Sequence, residues 1–152
     1  MASPRMQVVA GLALRDGKMF LQKRKPDKLR PDLWEHPGGK VEPGELLVNA
    51  LVREWREELA HASRDFVGEN VPLSIAGYLG NRIKTVEIEV EFTIELTLFH
   101  VDLPTWIEPI VLDAVEGGWF DPLWAVRRLP MSPGSYLLYP AIRDFIARRS
   151  AP

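Results

Sequence analysis

The sequence predicts a mixed α/β domain, and three stretches carry that prediction. Two β-prone runs, Gln7 to Arg15 and Lys18 to Arg24, flank the turn dipeptide Asp16-Gly17 and read as a hairpin. Between Glu45 and Ala60, Val48, Leu51, Val52, Trp55 and Leu59 recur at three- and four-residue steps, as on an amphipathic helix. From Val86 to Leu98, through Ile88 and Val90, apolar residues alternate with Glu and Thr in strict period two. That pattern predicts a long strand, bent or split, with one buried face and one wet, acidic face.

Composition narrows the chemistry. A chain of 152 residues is most simply one domain, 1–152, large enough to bury a sizeable core. Its net charge of -2 gives no overall pull toward nucleic acid or anionic membrane. The absence of cysteine excludes disulfides, thiolate catalysis and Cys-ligated zinc. Three histidines, His36, His61 and His100, form no His-rich pattern. Carboxylates are then the expected metal ligands, and they suit Mg²⁺ or Mn²⁺. No apolar run is long enough to span a bilayer, and no signal core follows Met1 to Met6, so a cytoplasmic location is the expectation.

Along the chain, Lys23, Arg24 and Lys25 place positive charge at the end of the second strand. Arg24 can be read equally as a solvated strand terminus or as a phosphate contact. A proline- and charge-rich loop, Pro26 to Pro31, leads to Leu33-Trp34-Glu35-His36-Pro37. Gly38 and Gly39 permit positive φ and close backbone approach, so a backbone group there can face a ligand. Pro43-Gly44 makes a further turn before the helix. On the helical wheel Glu54, Glu57 and Glu58 occupy an arc of roughly 100° apart from the apolar stripe. Such charges usually form a solvated face. Three carboxylates on adjacent turns nevertheless repel unless something positive lies between them. Leu73 to Gly80 reads as a strand after a loop holding Gly68, Asn70 and Pro72. Leu103 to Asp113 is irregular, and Ala114 to Phe120 carries Glu116 ahead of a glycine pair. Asp121-Pro122 and Ser132-Pro133 each look like the start of a helix, with Pro140 a kink or restart in the second.

Gly39, five residues, Glu45, seven residues, then Arg53-Glu54-Trp55-Arg56-Glu57-Glu58 resembles the Nudix box, G-x5-E-x7-R-E-U-x-E-E-x-G-U with U apolar. Ala60 and His61 stand where that pattern has glycine and an apolar residue. Beyond the box, the order of hairpin, Trp34-Glu35-x-Pro37-Gly38-Gly39-Lys40, helix, strands, Glu116, Trp119 and final helix is similar to the MutT-like nucleoside triphosphate pyrophosphohydrolases. The resemblance implies an α/β/α sandwich around a mixed β-sheet. It also implies Mg²⁺- or Mn²⁺-dependent hydrolysis of a nucleoside diphosphate linked to another moiety. Glu54, Glu57 and Glu58 would form the metal site with the Gly38 carbonyl, Glu58 as the most direct ligand. Glu54 would position or deprotonate water, Arg53 would orient the carboxylates, and Glu45 would anchor the loop to the helix. Glu116 would be either a further ligand or base or an ordinary loop residue, with Asp113 in reserve. Arg24, Glu35 and Lys40 would meet phosphate or base, and Trp34 or Tyr78 would stack on the base unless buried.

The expected substrate is a small nucleotide, foremost a (deoxy)nucleoside triphosphate cleaved to monophosphate and pyrophosphate. ADP-ribose, a dinucleoside polyphosphate or capped RNA is the alternative substrate, the charge balance arguing against long nucleic acid. A non-catalytic nucleotide-binding regulatory domain is the alternative of another class. Apolar edge strands would be compatible with a homodimer.

Overall fold

The computed structural model describes residues 5–63, 67–68, 71–87 and 91–150. The hairpin forms as the sequence predicts. Strand β1, Arg5–Arg15, turns through Asp16 (φ 52°) and Gly17 (φ 75°) into β2, Lys18–Lys23. Positive φ at both turn residues is what a two-residue hairpin requires, and Asp-Gly supplies it with little strain. Two short strands follow, β3 at Trp34–Glu35 and β4 at Gly38–Lys40. Helix α1 spans Leu47–Glu58 and passes directly into β5, Leu59–Ala62. The helix therefore ends before Ala60, which pairs with Ile110 in a strand. Next come β6 (Val67–Gly68), β7 (Ser74–Glu87), β8 (Glu91–Asp102), β9 (Glu108–Val111) and β10 (Glu116–Phe120). Helices α2, Pro122–Arg128, and α3, Pro133–Ser150, complete the order. Asp121 caps α2 by accepting from the Trp124 amide at 2.9 Å, and α3 continues through Pro140.

The period-two run is two strands. Val86 and Glu87 end β7, and the remainder from Glu91 lies in β8, paired antiparallel from Glu87↔Glu91 to Ser74↔Asp102. Ile88, Glu89 and Val90, like Asn70, fall outside the described residues. The expected wet face of this run holds only in part. From Leu96 to Val101 every side chain of β8 is buried, because the strand lies between β1 and β7 with layers on both faces.

The main sheet runs β10-β2-β1-β8-β7, with β3 beside β2 and β4 beside β1. Among the described strands of this sheet, β1 and β8 pair in parallel and the other pairs are antiparallel, giving a mixed sheet. Alternation along its strands separates two cores. Val9, Ala13, Phe20, Phe99 and Val101 pack with Leu51, Trp55 and Leu59 on the α1 side. Ala10, Leu12, Leu21, Leu96 and Leu98 pack with Ala125, Leu138 and Ile142 on the side of α2 and α3. The result is an α/β/α sandwich, and a smaller sheet, β6-β5-β9, adjoins it. On α1 the buried stripe is Ala50, Leu51 and Trp55, whereas Val48, expected in that stripe, is 37% exposed.

One topological detail positions the site. β1 pairs with β2 only at Leu14 and Arg15, next to the turn. Farther along, at Val8 to Ala10, its partner on that side is β4. The two hairpin strands thus splay, and the glycine strand β4 enters beside β1. Gly11 continues the seam: its N–H and the Trp55 indole N–H both donate to the Pro37 carbonyl, at 3.0 and 2.8 Å. A Cβ on Gly11 would stand 2.6 Å from the Trp55 ring, so the bulky tryptophan on α1 is matched by a missing side chain on β1.

Candidate active site

A cavity of about 490 Å³ opens where β1 and β2 part. Charged residues, Arg24, Lys28, Glu35, Glu54, Glu58 and Asp113, form one part of its walls, and an apolar and hydroxyl-bearing set, Met6, Val8, Ile94, Leu96, Leu138, Ser132 and Ser135, forms another. Lys40 lies between the two, opposite Val8 in the β1–β4 register.

At the charged end, Gly38 and Gly39 serve close approach alone. Neither has positive φ, contrary to the conformational expectation for them. A Cβ on Gly38 would overlap the Val9 carbonyl, and one on Gly39 would overlap the Glu54 carboxylate. Glycine here lets the helix carboxylates lie against the strand. Arg53 braces the assembly. Its Nε and Nη2 grip Glu45 in a two-point contact at 2.8 and 2.9 Å, Nη1 donates to Glu54 at 2.9 Å, and Nη2 donates to the Lys40 carbonyl at 3.0 Å. Hydrogen bonds from Arg53 hold the Glu45 carboxyl down to about 2, and the same bonds push the Arg53 guanidinium up. Glu45 also accepts from the Glu42 amide at 3.0 Å, tying the turn to the helix.

The three box glutamates have different surroundings. Glu58 is sequestered, with Oε2 accepting from Gln22 Nε2 at 3.0 Å and from the Gly38 amide at 3.2 Å. Burial, then the neighbouring Glu35 charge, pushes its carboxyl up to about 8. Burial also raises Glu54, against the pull of Arg53. Glu57 is exposed and turned toward Arg53, at 3.4 Å. Among the described residues, no three acidic or histidine side chains stand close enough to enclose a metal ion.

Across the cavity Arg24 Nη1 donates to both oxygens of Glu35 at 3.2 Å, and its Nε donates to the Leu29 carbonyl at 2.9 Å. Burial raises the Glu35 carboxyl, with Arg24 opposing. Asp113 bonds Lys25 at 3.1 Å and Lys28 at 3.5 Å, and the Lys25 contact holds its carboxyl down. At the apolar end, Ser135 Oγ accepts from the His36 amide at 3.2 Å and lies 3.0 Å from His36 Nδ1. Burial pushes the His36 imidazole down to about 4, so it is neutral near pH 7.

The structure therefore brings Arg24, Glu35, Gly38, Lys40, Glu54 and Glu58 to one cavity. It separates others. Trp34 is 6% exposed and packs edge-to-face on Phe120, 4.9 Å between centroids, so it has no open face for a base. Tyr78 is exposed on β7 against Phe99, away from the cavity walls. Glu116 opens β10 opposite Lys23 and is exposed, while its near neighbours Asp113 and Ala114 line the cavity. Gln22, Lys28, Ser132 and Ser135 were not evident as site residues. Gln22 was within reach, since it sits in the second predicted strand two residues before Arg24, and both line the cavity. No local pattern marks the serines, which arrive through the packing of α3.

The family profile described as NUDIX domain matches residues 4–142. The chain belongs to the Nudix family. Among curated Nudix relatives it is 52% identical over 54 residues to the CTP pyrophosphohydrolase of Escherichia coli strain K12, covering 36% of this chain and 40% of that protein. It is 40% identical over 52 residues to the 8-oxo-dGTP diphosphatase of Buchnera aphidicola, covering 34% of this chain and 40% of that one. Each match thus spans about two fifths of the relative's length. Among solved structures, the Escherichia coli ORF135 protein superposes with a TM-score of 0.73 at 30% identity, covering 99% of this chain and 96% of that one. The MutT protein of Methanosarcina mazei Go1 gives 0.70 at 19% identity, covering 99% of both chains, a likeness of fold. These likenesses place the chain among the MutT-like members of the Nudix family.

Proposed function

We propose that this Nudix hydrolase cleaves a nucleoside triphosphate to the monophosphate and pyrophosphate with the aid of a divalent cation. The observation that carries the reading is the division of the cavity. Its charged end offers Arg24 and Lys28 to phosphates, with Lys40 between the two parts, and its apolar end offers a surface and hydroxyls to a nucleoside. The two curated relatives, by their names, act on CTP and 8-oxo-dGTP, both nucleoside triphosphates.

The donor set suits Mg²⁺ or Mn²⁺. Glu54 and Glu58 both line the cavity and are hard oxygen donors. Mg²⁺ keeps several waters and takes one or two carboxylates together with substrate phosphates, so two protein carboxylates suffice. Burial makes both groups costly to ionise without a positive partner, and a cation answers that cost. Glu54 and Glu58 would hold it beside Gly38, and Glu57, contacting Arg53 only at 3.4 Å, completes the acidic edge. Such an ion neutralises phosphate charge and lowers the pKa of water. The chain's own part is positional: Arg53 fixes Glu54 and Glu45, while Arg24 presents a guanidinium to phosphate and keeps Glu35 beside it. Glu54 is then the group that orients or deprotonates the attacking water, and Asp113 lines the same cavity.

A panel of CTP, 8-oxo-dGTP, the ordinary nucleoside triphosphates and ADP-ribose, each with Mg²⁺ or Mn²⁺, tests the reading. The expected result is turnover of at least one triphosphate at a kcat/KM well above that for ADP-ribose. Preference for ADP-ribose would replace the substrate, and binding without turnover of any anhydride would replace the activity.

A further inference from the structure

Gln22 is 3% exposed, lines the cavity and lies opposite Glu35 in the β2–β3 register. Its Nε2 donates to Glu58 at 3.0 Å, yet its Oε1 is buried without a hydrogen-bond partner among the described residues. The Glu58 oxygen accepts from the N–H end of the amide, and the amide oxygen on the other side is left as the orphan. A buried amide oxygen without a partner is disfavoured, and its retention beside a reactive carboxylate points to a ligand donor. Phosphates are acceptors and cannot satisfy it. A water held against Glu58 can, because it has two protons to donate.

We propose that Gln22 is a water-orienting side chain of the hydrolytic site, its Oε1 accepting a hydrogen bond from the water that attacks the anhydride beside Glu58. The inference rests on the hydrolase reading above and adds a residue that lies outside the box. One amide then does two things: its nitrogen fixes Glu58, and its oxygen turns the water's lone pair away from β2, toward the phosphate. The hydrogen bond changes no covalent connection, and the proton released on attack passes to the general base.

The test compares wild type with Gln22→Met, which keeps the length and loses both polar atoms. Three readouts are taken: steady-state hydrolysis of the best triphosphate, calorimetric titration with Mn²⁺ alone, and the urea midpoint of the metal-free protein. The expected pattern is a kcat about tenfold lower with KM within about threefold, Mn²⁺ affinity within about threefold, and a urea midpoint no lower than wild type. Unchanged kcat would overturn the inference. So would an Mn²⁺ affinity that falls tenfold in step with kcat, since that pattern leaves Gln22 no role beyond holding Glu58. If the Met variant does not fold, Gln22→Ala carries the same three comparisons. Wild type without turnover of any anhydride would remove the hydrolase reading and this inference together, whereas an active wild type with an equally active variant removes this inference alone.

Discussion

The two ends of the cavity are built on different plans. The charged end is centred on one continuous stretch, Gly38 to Glu58, in which a strand, a turn and a helix are clamped by a single arginine bonded to Glu45, Glu54 and the Lys40 carbonyl, with Arg24, Lys28, Glu35 and Asp113 added around it. The apolar end is assembled from four distant pieces: β1, β8, the His36 segment and the start of α3. The clamped end carries little freedom because each of its carboxylates is fixed by a charged or backbone donor. The assembled end lies on elements outside the Gly38 to Glu58 stretch. Chemistry shared by a family fits the first arrangement, and substrate choice that differs among its members fits the second.

Glu58→Gln separates the two ends most strongly. It should lower kcat by about a hundredfold or more, as expected when several kcal/mol of cation-derived stabilisation is lost, while a fluorescent nucleotide still binds at the apolar end. Equal activity of the variant would remove Glu58 from the metal site. Gly38→Ala should act on the scaffold: the new methyl meets the Val9 carbonyl, and backbone displacement should cost about 1–3 kcal/mol, read as a lower urea midpoint.

The apolar end has its own pH signature. His36 is pushed down to about 4 by burial, from an ordinary value near 6.5. The unfolded chain therefore takes up the proton first, and the stability that neutral His36 contributes is present above about 6.5 and lost as pH falls toward 4. Urea unfolding of wild type and His36→Gln at pH 7.5 and pH 4 isolates this. The difference between them should shift against wild type by about 3 kcal/mol across that window, and a pH-independent difference would mean His36 is not titrating from a buried site. The smallest effect is expected for Ser135→Ala. Loss of one hydroxyl should change the kcat/KM ratio between two nucleobases by about threefold to tenfold, leaving the rate with the better substrate nearly intact.

The same contrast explains what could be read in advance. Arg53, Glu54 and Glu58 were legible because helix periodicity puts box residues at fixed angles, and Arg24 because it belongs to a basic run at a strand's end, where the family resemblance implies a phosphate contact. The hairpin was legible from Asp16-Gly17. The roles of Gly38 and Gly39 were half legible: glycine was needed, but for the nearness of Val9 and Glu54, not for positive φ. For Trp34 stacking and burial stayed open, since sequence cannot say that Phe120 arrives to cover it. Val86 to Leu98 was read as one run because alternation continues unchanged across two strands that pair with each other. Gln22 and Ser135 remained hidden because their importance arises from contacts 36 and 99 residues away in sequence.

Product analysis tests the central claim most directly. Wild-type protein given CTP and Mg²⁺ should release CMP and pyrophosphate in equal amounts, with no orthophosphate, and chelation of the metal should stop the reaction. Release of CDP and orthophosphate, or the same rate with and without the divalent cation, would contradict the account.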